Sequence, residues 1–283
     1  MKLVLAGAFG KLGSDILRAA VKEGHEVVAI DLVTREMDFD GFTAKTVDVT
    51  KKEQLEGVCE GADAVITTVG LTRTSATVTN YDIDLNGNLN LLAEAKRAGV
   101  KKFAYISVLK ADKNPDVPML DAKHKFELAL KESGIDYVIF RPTGYFYDIA
   151  KVFMPMIEKG EVTLLGKEDV SANVIDTTEL AEYVLLHLND TNVTYDIGGT
   201  ETYTYEEIAK MFFAAAGKEP VIKRAPVFLF SVLAWINKLK KNGKEAIIKF
   251  SKWTLTESMV AENKYGKLSF KEYIQNCYKK EGK

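Results

Sequence analysis

An apolar strand running straight into a glycine-rich turn and then a helix constrains this chain more than any other feature. Lys2–Ala6 is a short run of Val, Leu and Ala, and Gly7-Ala8-Phe9-Gly10-Lys11-Leu12-Gly13 follows it. Apolar residues then recur at helical spacing, at Leu12, Ile16, Leu17, Ala20 and Val21, up to Gly24. Such a turn lets the backbone approach an anion closely, with amide groups and the positive end of the helix dipole facing it. The rhythm continues. Strand-like runs at Glu26–Asp31, Thr46–Asp48, Asp63–Val69, Lys102–Ser107 and Asp136–Phe140 alternate with helical patterns at Leu85–Ala98 and Met119–Ser133. Nearly continuous Val, Ile and Leu suit strands covered on both faces, and parallel strands joined by helices cross over right-handed. The pattern predicts a doubly wound α/β fold on a parallel sheet.

Past residue 150 the pattern loosens. Thr177–Leu188 reads as a helix and Val193–Ile197 as a strand returning to the sheet, whereas Glu206–Ala216, Pro226–Lys241 and Ser269–Tyr278 read as helices of a smaller, mainly helical lobe. The expected division is therefore a nucleotide-binding domain over 1–150, with return elements at about 173–198. Residues 151–172 and 199–283 form the substrate or lid lobe. Charge divides along a similar line. Residues 217–283 hold 15 Lys/Arg against 6 Asp/Glu, a net of +9, while the remainder holds 23 against 34, a net of -11. The overall charge of -2 argues against nucleic acid as a partner, which calls for a basic face.

Two cysteines make no disulfide framework, and three scattered histidines offer no metal-ligand spacing, so no metal is expected. The N-terminal apolar run is too short for a secretory signal, and the longest apolar run, Val227–Ile236, falls well short of the ~20 residues that span a bilayer. The expectation is a cytoplasmic protein. Its apolar segment 226–241 is a buried lid helix or, alternatively, a contact for a protein partner or a membrane surface, since a helix apolar all round must be covered by something.

Several side chains fall where a dinucleotide would need them. Asp31 ends the second strand, 24 residues after Gly7, where a carboxylate can accept both ribose hydroxyls of the adenosine half and repel a 2'-phosphate. That favours NAD over NADP, although Arg35 nearby could serve a phosphate. Asp48 and Val49 follow the third strand, where such folds flank the adenine. Asp48 equally suits the N-cap of a helix over Lys51–Val58.

Taken together, the G-x-x-G-x-x-G spacing, Asp48-Val49-Thr50, the run from Val65 to Gly70, the segment from Asn88 to Ser107 and the run from Arg141 to Phe146 resemble the short-chain dehydrogenase/reductase superfamily. The similarity is to its atypical, NmrA-like branch, which includes isoflavone and triphenylmethane reductases, and it covers nearly the whole chain. It implies a Rossmann fold holding NAD or NADP through Gly7, Ala8, Phe9, Gly10, Lys11, Leu12 and Gly13. Asp31, Asp48, Val49, Thr67, Thr68 and Val69 would follow along the cofactor, with Pro142, Thr143 and Gly144 near its far half. It also implies catalytic roles for Ser107, orienting substrate, and Lys123, holding the nicotinamide ribose or giving a proton. Ser107 could instead be a plain strand-end residue, and Lys123 and Glu127 a surface i, i+4 pair.

One departure matters most. The family tyrosine would stand four residues before Lys123, and Met119 is there, whose thioether cannot transfer a proton. Asp84 likewise takes a place where extended members carry asparagine. Asn88, Met119, Tyr145 and Phe146 are the candidate substrate pocket, and Tyr145 or Tyr147 could bring a phenol from another side. The resemblance thus implies NAD(P)H-dependent reduction of a small apolar substrate without the usual tyrosine. A non-catalytic NAD(P)-sensing regulator or assembly factor is the alternative, and a nucleotide-sugar epimerase or dehydratase the second alternative.

Overall fold

The computed structural model describes residues 1–71, 77–166, 169–240 and 244–281. Strands β1 (Lys2–Ala6), β2 (Glu26–Asp31), β3 (Phe42–Thr46), β4 (Ala64–Thr67), β5 (Lys102–Ile106) and β6 (Asp136–Pro142) each lie parallel to their neighbours. With β9 (Val193–Gly198) and β12 (Asn263–Lys264) they make an eight-stranded sheet in the order β12-β9-β6-β5-β4-β1-β2-β3. The chain runs outward from β1 through β2 to β3, then returns to place β4 on the other side of β1. That reversal creates the crevice at the carboxyl ends of β1 and β4 where ligands of open α/β sheets bind.

The helices between these strands are α1 (Lys11–Lys22), α2 (Lys52–Leu55), α3 (Asn88–Arg97) and α4 (Pro118–Lys131). α1 buries Leu12, Gly13, Ile16, Leu17 and Ala20 on one stripe, and Leu12, Ile16 and Leu17 each contribute roughly 1.5–3 kcal/mol. Strands β4 and β5 are buried along their whole length. Even Lys102 is drawn in, its ammonium donating to the carbonyls of Asn189 and Asp190 and to the Thr191 hydroxyl. The edge strand β3 is mostly exposed, and its Lys45 helps to protect an unpaired edge.

By contact the chain divides into Met1–Arg141 with Leu180–Tyr195, and Pro142–Glu179 with Asp196–Lys283. The second unit contains α5 (Phe146–Glu158), β7 (Val162–Leu165), β8 (Ser171–Ala172), β10 (Tyr203–Thr204), α7 (Tyr205–Ala215), β11 (Ile222–Ala225), α8 (Phe228–Leu239), α9 (Lys244–Thr256) and α10 (Phe270–Glu281). α6 (Thr177–Leu186) begins in it and ends in the first. Its core is aromatic: Phe153 stacks on Phe212 at 5.5 Å, and Phe146 lies 4.7 Å from Phe270. α7 starts with a reciprocal cap in which the Thr204 hydroxyl accepts from the Glu207 amide and the Glu207 carboxylate accepts from the Thr204 amide.

Four features depart from the sequence reading. The third strand lies at Phe42–Thr46 instead of Thr46–Asp48, and Asp48 caps no helix: its carboxylate accepts from the amide and hydroxyl of Thr50. The helix expected at Leu85–Ala98 opens earlier, in a π-helical turn over Tyr81–Gly87. α5 and α9 have no counterpart in that reading. Finally, α8 is not a buried lid, because Phe228, Trp235 and Leu239 are each more than 60% exposed and Ala234 alone of the helix is buried. Lys241, at the end of the expected segment, lies outside the described residues.

Candidate functional site

Gly7 leaves β1 at φ +76°, a backbone state that glycine tolerates and a side chain resists. Its amide donates to the Ile30 carbonyl at 2.9 Å, and its carbonyl accepts from the Thr68 hydroxyl at 3.0 Å. A Cβ on Gly7 would stand 2.5 Å from that hydroxyl oxygen, and one on Gly13 only 1.9 Å from the Gly7 carbonyl oxygen. Both glycines are therefore demanded by the protein's own packing. Gly10 is different, since a Cβ there would meet nothing nearer than the Gly7 oxygen at 3.4 Å. The space beside it is open, at the start of α1, whose first turn has neither an acidic residue nor a side-chain cap. An anion fits that arrangement: unclaimed amides, a helix terminus and a glycine kept small for no internal reason.

The rest of the turn supports it from below or flanks it. Ala8, Phe9 and Leu12 are buried, and Lys11 points outward to pair with Asp15 at 2.6 Å. Asp31 reaches back into the turn, its carboxylate accepting from the Phe9 amide at 2.9 Å and from its neighbour Leu32 at 2.7 Å. Val49 is buried, and its carbonyl accepts from Asn90.

At the end of β4, Thr67 donates to the Asn88 amide oxygen at 2.8 Å and accepts from the Val69 amide, while Asn88 donates to the carbonyls of Val69 and Asp84. Asn88 is thus a buried brace for this loop and not the wall of a pocket. The π-helical turn brings Asp84 beneath the same loop, where one oxygen accepts from the Leu71 amide and the Asn80 side chain. Its other oxygen lies 3.2 Å from the Lys123 ammonium, an ion contact without hydrogen-bond alignment, with Asp84 fully buried and Lys123 nearly so. A Cβ on Gly70 would touch both groups. Sequence reasoning noted Asp84 as a departure and missed this pairing. Its signal was an acid at the asparagine place together with the lysine.

Lys123 also lies 3.4 Å from the Ile106 carbonyl and 5.4 Å from the centre of the Tyr105 ring. Tyr105 is fully buried with its hydroxyl unpartnered, and burial first, then Asp84 and Glu127, push that phenol well above its ordinary range. It stays protonated at neutral pH. Met119 sits half-buried in the first turn of α4.

Ser107 belongs to a second buried network. Its hydroxyl donates to Glu127 at 2.5 Å, and Glu127 also accepts from Arg141 through Nε at 2.9 Å and Nη2 at 2.5 Å. Glu127 is completely buried and faces away from solvent, so the surface pairing of Lys123 with Glu127 is not what the chain forms. Asp112 completes the cluster, 3.4 Å from Arg141.

The remaining expected residues lie in the second unit. The Thr143 hydroxyl donates to the Asn173 carbonyl, its amide donates to that of Ile197, and the Gly144 carbonyl accepts from Ile175. Pro142 is buried and ends β6. Phe146 is core, packed on Phe270, and is no pocket wall. The Tyr145 phenol is pushed far up, by burial and then by Asp148, so it holds its proton at neutral pH.

Comparison with known proteins agrees with this geometry. A family model described as NAD(P)H-binding matches residues 7–191. The photosystem II assembly factor Ycf39 of Guillardia theta is 30% identical over 236 residues, covering 81% of this chain and 74% of that protein. Ycf39 of Synechocystis is 28% identical over 234 residues, covering 80% and 71%. Among solved structures, the triphenylmethane reductase of Citrobacter shares the fold with a TM-score of 0.77 at 17% identity, covering 99% of this chain and 100% of that one. With its glycine turn, open anion site and doubly wound sheet, this chain belongs to the NAD(P)H-binding family and has the fold of the atypical short-chain dehydrogenases/reductases.

Proposed function

We propose that this chain is an NAD(P)H-dependent reductase that acts on a small apolar acceptor without a catalytic tyrosine. The observation that carries the reading is the Lys123–Asp84 pair, buried at the carboxyl end of the sheet in the same unit as the glycine turn. In this reading the turn from Gly7 to Gly13 holds the pyrophosphate through the first helical amides, those of Lys11, Leu12 and Gly13, while the amides of Gly7, Ala8, Phe9 and Gly10 are spent on the turn itself, and Asp31 holds the adenosine ribose. Asp48 and Val49 flank the adenine, and Thr67, Thr68 and Val69 line the middle of the cofactor. The bound cofactor supplies hydride.

Lys123 anchors the nicotinamide ribose or gives a proton to the reduced substrate, with Asp84 fixing the position of the ammonium. Ser107 can act on a ligand here only as an acceptor, because its hydroxyl proton is committed to the hydrogen bond it donates to Glu127. With Met119 in the tyrosine place, the chemistry suits acceptors that need little acid help, such as quinones and enones. Lys123→Met is expected to lower turnover across a carbonyl, enone and quinone panel by roughly 10²–10⁴-fold, the usual worth of a positioned acid. A wild-type chain that binds NAD(P)H yet oxidises it with none of these acceptors would sink the proposal.

Asp31 makes NAD(H) the favoured cofactor. Thermal-shift titration with NAD⁺, NADH, NADP⁺ and NADPH is expected to show larger stabilisation by the unphosphorylated pair. A tenfold difference in Kd separates the saturated shifts by about 1.4 kcal/mol. Equal shifts, or a preference for the phosphorylated pair, would remove Asp31 from the ribose.

The second reading is a non-catalytic assembly factor that works through a partner. It is supported by the relatives named as photosystem II assembly factors and by the exposed apolar face of α8. Cofactor binding without turnover, joined to a specific partner lost on deleting 226–241, is the result that would favour it. Nucleotide-sugar epimerisation is the least supported, because Met119 provides no base for a sugar hydroxyl.

A further inference from the structure

We infer that the α8–α9 hairpin is a docking face for an anionic lipid bilayer. At 100° per residue, Phe228, Leu229, Val232, Trp235, Ile236 and Leu239 fall within an arc of about 120° on α8. All six are exposed, and Phe228, Trp235 and Leu239 are exposed by 61–63%. The opposite side, carrying the buried Ala234, is where α8 meets α9. A soluble chain seldom presents so continuous a strip of large apolar side chains without something to cover it.

Charge decides among the possible covers. Residues 226–256 contain six lysines and one acid, Glu245. Glu245 is already paired with Lys249 at 2.8 Å. Lys238 and Lys240 are exposed at the end of the apolar strip, and Lys252 donates to Ser231 beside it. A second copy of the chain would bring an equally positive face against this one, so self-association is opposed by like charges. Inside the arc the indole N–H of Trp235 is the one side-chain hydrogen-bonding group, too little to select a single protein partner. An anionic bilayer matches both properties, since its headgroups pair with lysines and its acyl boundary takes apolar side chains to a depth of ~5–10 Å. No described helix is long and apolar enough to cross a membrane. The hairpin therefore lies on the surface, with α8 along the plane.

The full chain is tested by flotation with phosphatidylcholine vesicles, with and without one-third phosphatidylglycerol. Flotation with the anionic vesicles is expected, falling sharply in high salt, and little with the neutral ones. Replacing Trp235 and Leu239 together by Ser removes two apolar anchors and is expected to lower the bound fraction by at least about tenfold. Lys240→Gln should lower it by about fivefold, the worth of one basic residue near such a surface. All three substituted sites are exposed, so circular dichroism and melting of the variants should match the parent. The chain has two tryptophans, and Trp253 is buried, so the emission blue shift on anionic vesicles is expected to vanish in Trp235→Phe. Absence of flotation, equal flotation with neutral vesicles, or binding unchanged in the Trp235→Ser/Leu239→Ser chain overturns the inference. So does concentration-dependent self-association that the same variant abolishes in the absence of any vesicle binding.

Discussion

Gly13→Ala is expected to abolish stabilisation by NAD(P)H and raise the Kd by more than about 100-fold, because more than 2.7 kcal/mol of binding depends on the shape of the glycine turn. The added methyl would sit 1.9 Å from the Gly7 carbonyl oxygen, 2.8 Å from its carbon and 3.0 Å from the Ala8 Cα. All three are backbone atoms, so no rotamer change relieves the clash. α1 must retreat from the turn, carrying with it the amides that face the anion. Such overpacking also costs about 1–3 kcal/mol of stability, visible as a lower melting temperature. Gly10→Ala separates the two effects. Its methyl meets no protein atom closer than 3.4 Å, and the backbone there is extended, so melting should stay close to the parent. Nucleotide binding should still be lost, since the methyl would occupy the ground left for the ligand. Normal binding by Gly10→Ala would show that the pyrophosphate does not approach the turn.

Glu127→Gln is expected to destabilise the first unit by about 3 kcal/mol, since removing one partner of a buried ion pair leaves the other charge uncompensated. Arg141 is only 13% exposed and would lose the carboxylate that accepts from both its Nε and its Nη2, with Asp112 at 3.4 Å. For a chain of this size that loss corresponds to a fall of roughly 6–12 °C in melting temperature. The double variant Glu127→Gln/Arg141→Gln should recover part of it, because no buried charge is then left unpaired. If the single and double variants melt alike, the two side chains do not act as a pair. In either variant the Ser107 hydroxyl meets a neutral amide in place of a carboxylate. Turnover that survives at the parental level would show that the charge of its acceptor is unimportant to the reaction.

Much of the first unit could be read from the sequence because local signals and burial agree there. β1, β4 and β5 are apolar throughout, and the turn from Gly7 to Gly13 joins strand to helix in the order a dinucleotide site requires. The exposed β3 carries little periodic signal, and the sequence points to a strand that begins four residues after the one that forms. α9 escaped notice because Ile247, Ile248, Phe250, Trp253 and Thr254 favour strands locally, and packing beside α8 overrides that preference. α5 carries Pro155 in its interior, a residue that ordinarily argues for a break. The polar networks were harder for another reason. Ser107, Glu127 and Arg141 meet across separations of 14–20 residues, and spacing along one helix suggested only the nearer partner, Lys123. Lys123 meets Asp84 through a π-helical turn, whose register no α-helical wheel reproduces.

The division of the chain has a consequence for its biosynthesis. The polypeptide passes between the two units after Arg141, Glu179 and Tyr195, so neither is a continuous stretch. On a ribosome the first unit has nearly all its strands once Arg141 has emerged, yet β6 keeps an open edge until β9 follows. At about 5–20 residues per second, the 54 residues from Arg141 to Tyr195 take roughly 3–11 s to appear. During that interval an apolar sheet edge is available to other nascent chains. A fragment cut at residue 150 would make the exposure permanent, and expression of the isolated nucleotide-binding half should yield aggregates unless residues 180–195 are supplied with it.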